Sequence, residues 1–91
     1  MKTERMIEIL TPATKFRIAG KYARNAIDFL KRGFRELAYH ECLDGHFVAA
    51  ENGDTNFLPV ILALEKEFPI SCVVSARIQT KANQEAHDRH H

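Results

Sequence analysis

The 91-residue chain has no tryptophan, only two cysteines, three prolines and four glycines, and a net charge of only +1. Its longest apolar stretches, such as residues 58–64, fall far short of the roughly 18–20 residues a membrane-spanning helix requires. Cys42 and Cys72 each sit in an apolar segment, a pattern that makes neither a disulfide framework nor paired zinc knuckles and that fits a reducing compartment. Residues 1–5 mix both charge signs and lead into too short an apolar run for a signal-peptide core, so the expected location is the cytoplasm, with no membrane partner. With 45% apolar residues and so little Gly and Pro, disorder of the whole chain is excluded. One small domain is expected over residues 1–80, followed by a polar tail over 81–91 that includes His87, His90 and His91 and carries no assigned function.

Hydrophobic periodicity sorts the rest. Residues 6–10 read as a short strand or folded-back arm that ends at Thr11 and Pro12. Phe16 and Ile18 alternate with Lys15 and Arg17, which predicts a half-buried strand broken by Gly20. From residue 21 to 32 the period becomes helical: Tyr22, Ala23, Ala26, Ile27, Phe29 and Leu30 share one stripe, and Gly33 stands where a helix stops. Residues 36–43 and 46–50 read as two strands joined at Asp44-Gly45, a favoured dipeptide for a two-residue hairpin turn. A second helix is predicted after Asp54, Thr55 or Asn56, with Pro59 in its first turn and Phe57, Ile61, Leu64 and Phe68 buried, the stripe widened by Leu58 and Leu62. Ile70, Cys72, Val74, Ala76 and Ile78 then alternate as a long last strand.

That order, βαββαβ, predicts an α+β fold: a two-layer ferredoxin-like split βαβ sandwich with two helices on one sheet face. An Alba-like βαβαβ arrangement is the alternative. In the first fold the other sheet face stays open, and its apolar character implies a covering partner, such as a second copy forming a homodimer.

Candidate chemistry is sparse. His40, Cys42 and His46, with Cys72, superficially suggest a zinc site, but on a hairpin His46 would face away from His40 and Cys42. A nucleophilic site built on Cys42, His40, Glu41, Asp44 or His46 lacks an oxyanion site and any Gly-rich phosphate loop. No catalytic residue, metal or cofactor is therefore expected.

Charge is more informative. Residues 1–35 hold nine basic and three acidic residues, a net of +6, whereas residues 36–91 hold four basic and nine acidic, a net of −5. Lys15, Arg17, Lys21, Arg24, Lys31, Arg32 and Arg35 are expected to line the first helix and the strand before it, with Arg17 and Arg77 on the open sheet face and Tyr39 nearby to meet splayed bases. Such a surface suits the backbone of DNA or RNA, and the expectation is a non-enzymatic binding module. The alternative is a protein-interaction or regulatory module that docks an acidic protein or a second copy.

Overall fold

The structure, a computed structural model, describes residues 2–68. Among these residues there are four α-helices, α1 (Lys2–Leu10), α2 (Gly20–Lys31), α3 (Arg35–Glu51) and α4 (Leu58–Glu65), with a 3-10 turn, Thr11–Lys15, between α1 and α2. None of the described residues forms a strand, so the ferredoxin-like sandwich and the Alba-like alternative are both overturned. The predicted strand over 70–79, Arg77 and the tail over 81–91 lie outside the described residues.

The first expected strand is helix α1. Met6, Ile7, Ile9 and Leu10 are spaced as one side of a helix; Met6 and Leu10 are fully buried, and Arg5 pairs across one turn with Glu8 at 3.4 Å. The second expected strand, around Phe16 and Ile18, is the turn leading into α2, where Phe16 packs edge-on against Phe57 at 6.2 Å. Apolar alternation there reflects two anchors in a bend, not a pleat.

The predicted hairpin is a single helix. Asp44 and Gly45 lie in the middle of the 17-residue α3, and neither has the positive φ that the predicted turn requires. Periodicity misled because the apolar side chains of α3 are spread around it: Leu37 and Val48 face outward, Tyr39 and Leu43 are buried on one flank, and the side facing α2 is built from small residues. Ala38, Cys42, Gly45 and Ala49 fall within an arc of about 60° at 100° per residue. A Cβ placed on Gly45 would stand 2.6 Å from the Cβ of Tyr22, so this arc is the one that faces α2.

Helices α2 and α3 therefore form an antiparallel hairpin. Between the Asn25–Glu41 hydrogen bond (3.0 Å) and the Tyr22–Gly45 contact, residue numbers fall on α2 while they rise on α3. The turn between them begins with a Schellman motif: Gly33 has φ +86, its N–H donates to Leu30 O at 3.1 Å, and Phe34 N–H donates to Phe29 O at 2.8 Å. Helix α3 ends in the same way at Gly53, φ +80, with Asp54 N–H donating to Ala49 O at 2.9 Å. Gly33 stands where the sequence predicted a helix stop, whereas Gly53 ends a helix that was read as strands.

The two predicted helices hold. Helix α2 buries Ala23, Ala26 and Leu30, and leaves Tyr22, Ile27 and Phe29 half-buried. Helix α4 begins with Pro59 in its first turn, and Phe57, Ile61, Leu64 and Phe68 are all buried as expected, although Leu58 and Leu62 are exposed. Tyr39 connects α3 to this end of the chain: its hydroxyl donates to Glu65 Oε1, and its ring lies 5.1 Å from that of Phe68. Helix α1 packs on both α2 and α4 and closes the core.

Glycine inside a helix costs about 1 kcal/mol relative to alanine, so Gly45→Ala would stabilise α3 if it were isolated. Here the added methyl meets Tyr22 Cβ, an atom fixed to the α2 backbone, and the helices must separate. Gly45→Ala is expected to lower unfolding free energy by up to about 2 kcal/mol net, since overpacking costs about 1–3 and the helix gain offsets about 1. Urea melts measure this, and a gain in stability would disprove the close approach.

Candidate nucleic-acid interface

Lys15, Arg17, Lys21, Arg24, Lys31, Arg32 and Arg35 are all exposed, and helix α2 holds three of them, with Arg32 capping its C-terminus. At 100° per residue Lys21, Arg24, Lys31 and Arg32 fall on one side, about 100° wide, that also carries Asp28. Lys15 and Arg17 precede the helix in the turn rather than on a strand, and Arg35 opens α3 just past it. The first and last of these positions on α2, Lys21 and Lys31, stand about 15 Å apart along the axis at 1.5 Å per residue.

Compensation of these charges is slight. Among the described residues the ion pairs are those of Arg5 with Glu8 and Glu67, so none of the seven has a carboxylate partner there. Arg24 donates to Thr14 O at 2.8 Å, which ties the 3-10 turn to α2; Arg35 donates to Thr3 Oγ1 at 3.3 Å; and the Lys21 ammonium lies 6.0 Å from the centre of the Tyr22 ring. Residues 15–35 hold seven basic residues and Asp28, a net of +6, and residues 36–68 hold seven acidic residues and Lys66, a net of −6. The boundary falls at the α2–α3 turn.

Two expected parts of the interface are corrected. Without a sheet among the described residues, there is no open sheet face for Arg17 to share with Arg77 or for a second copy to cover. Tyr39, expected beside them to meet bases, is fully buried. One residue that sequence reasoning passed over is Phe34, which is 51% exposed between Arg32 and Arg35. Its signal was available, an aromatic inside the basic run of residues 31–35, but it fell in the gap between a helix and a supposed strand.

The candidate catalytic and metal residues do not converge. On a helix His40 and Cys42 point about 160° apart, while Cys42 and His46, four positions apart, share a side, the reverse of the hairpin expectation. Among the described residues no group of three His, Cys, Asp or Glu side chains is placed to hold a metal ion. Burial, with Glu41 next to it, raises the Cys42 thiol well above its ordinary range and keeps it protonated and unreactive. His46 Nδ1 is buried with no hydrogen-bond partner among the described residues, and its ring lies 5.5 Å from that of Phe47. A shallow, open depression of about 230 Å³ lies between α2 and α3, lined by Asn25, Asp28, Phe29, Arg32 and Glu41, with the Asn25–Glu41 hydrogen bond across it.

Compared with known protein families, with curated proteins and with solved structures, the chain matches none. Among the described residues no helix is long and apolar enough to cross a membrane.

Asp44 supplies a pH test of the acidic half. Partial burial, then the Glu41 carboxylate one turn before it, raise its carboxyl above the usual range, and His40 pulls the other way. Unfolding returns it to its ordinary value, so between the two values the folded chain binds more protons, and stability falls as pH rises through that window. Asp44→Asn is expected to raise Tm at neutral pH and to leave it unchanged below the ordinary carboxylate range. A lower Tm at neutral pH would contradict this.

Proposed function

We propose that this protein is a small non-enzymatic module of the cytoplasm that binds the sugar-phosphate backbone of nucleic acid through the exposed side of α2 and the turn before it. The observation that supports the reading is the uncompensated basic stripe: seven exposed Lys and Arg side chains without a carboxylate partner among the described residues, on α2, the turn before it and the turn after it into α3. Phosphates attract such a stripe by releasing condensed counterions, which needs no sequence reading and no deep pocket. Asp28 within the stripe limits how closely a backbone lies against the middle of α2.

Binding of this kind falls linearly with the logarithm of salt, and each lost phosphate contact flattens the slope by roughly 0.7–0.9. Anisotropy titrations with labelled single- and double-stranded DNA and RNA are expected to give binding at low salt that weakens steeply at higher salt. Arg24→Glu combined with Arg32→Glu is expected to weaken it by about tenfold or more. Absence of binding to every probe at low salt would remove the reading.

A second reading, self-association or docking to an acidic protein, is favoured by the equal and opposite charge of residues 36–68. Light scattering across salt separates the two. A mass above that of the monomer at low salt that collapses as salt rises, and that Arg24→Glu abolishes, would favour self-association; a monomer throughout, with no acidic partner in a pull-down, would leave the nucleic-acid reading alone.

A further inference from the structure

Phe34 stands at the end of the basic stripe in a position that a folded chain does not require for its own core. Its side chain is 51% exposed, yet its backbone is held on both sides: the N–H donates to Phe29 O at 2.8 Å, and the carbonyl accepts from Ala38 N–H at 3.0 Å. Gly33 before it takes the left-handed conformation that lifts the chain out of α2. The ring is therefore presented on a fixed backbone, and ordering it for a ligand loses little entropy. Arg35 is its neighbour and Arg32 lies two residues away, no more than about 7.6 Å between Cα atoms. Of the five N–H donors on Arg35, the Thr3 hydroxyl takes one.

We infer that Phe34 is a stacking platform for an unpaired base, with Lys31, Arg32 and Arg35 holding the flanking phosphates, so that the ligand of the α2 surface is single-stranded nucleic acid. The inference rests on the backbone-binding reading above and gives it a substrate class. An exposed aromatic face flanked by cations matches what a single strand offers at each nucleotide, a free base face next to a phosphate. In a duplex the base faces are covered by their neighbours, and Phe34 has nothing to stack on. Charge on the next helix points the same way. Glu36, Asp44 and Glu51 are exposed along α3, so a broad anionic surface laid across the α2–α3 turn, a lipid bilayer for example, meets carboxylates, whereas a thin strand follows α2 and ends at Phe34.

Anisotropy titrations with labelled oligothymidine, with a labelled duplex of the same length and with anionic phosphatidylserine vesicles test this. Phe34→Ala and Phe34→Leu are each expected to weaken oligothymidine binding about 5- to 150-fold, the range of one base–aromatic stack, and to change duplex binding less than about twofold. Phe34→Tyr, which keeps the ring, is expected to retain wild-type affinity. Since the chain has no tryptophan, Phe34→Trp places a single reporter at the site, and its fluorescence is expected to be quenched by oligothymidine and not by the duplex. Thermal melts of each variant confirm that the exposed substitution leaves the fold intact. Salt-sensitive binding with no preference for single strands and no effect of Phe34→Ala overturns this inference and leaves the backbone reading standing. Binding to neither nucleic acid removes both, and vesicle binding that depends on Phe34 without single-strand preference overturns the inference in favour of a membrane surface.

Discussion

The packing of this protein depends on how closely α3 approaches α2. Gly45 allows Tyr22 to lie directly over the α3 backbone, and the small residues Ala38, Cys42 and Ala49 continue the same face above and below. Dispersion contacts between two helices grow steeply as backbones approach, so a seam of small side chains compensates for the large apolar groups that α3 lacks on that side. Large residues are used elsewhere: Tyr39 reaches toward Phe68 and Glu65, and Met6, Leu10, Phe57, Ile61 and Leu64 fill the space enclosed by α1 and α4.

This hairpin also determines where charge goes. With α3 drawn onto one side of α2 and the core below, the polar residues of α2 have only the opposite side, and Lys21, Arg24, Asp28, Lys31 and Arg32 gather there. The acidic residues of α3 occupy its own outer side, so the two helices present opposite signs to solvent next to one another. Asn25 and Glu41 meet where the two surfaces join, a polar contact that helps set the register of the hairpin. The Schellman turn at Gly33 reverses the chain where the charge changes sign, and in doing so leaves Phe34 outside.

How much of this was legible depends on side-chain size. Helix α2 could be read because its apolar residues fall on one stripe, and α4 because Phe57, Ile61, Leu64 and Phe68 do the same. Helix α3 was misread as two strands because the face it turns to α2 carries alanine, cysteine and glycine, while Leu37 and Val48 point to water; a pattern search weighted by large apolar residues sees alternation there and not a helical period. An Asp-Gly pair has two uses, a tight turn with positive φ or a helix position without a Cβ, and only a neighbouring helix pressing on that position distinguishes them. The basic residues of α2 were placed on a helix from the sequence, whereas the strand expected for Lys15 and Arg17 is a turn, and Tyr39 is core.

By itself the sequence determined the separation of charge, the α2 and α4 stripes, and Gly33 as the end of α2, because each depends on local spacing or on the conformational freedom of one residue. Tertiary structure alone decided that residues 35–51 form one helix, that Gly45 is a contact point, and that Phe34 rather than Tyr39 meets solvent. Those outcomes depend on which surfaces α2 and α4 present to α3, and the energy of such contacts belongs to pairs of residues distant along the chain.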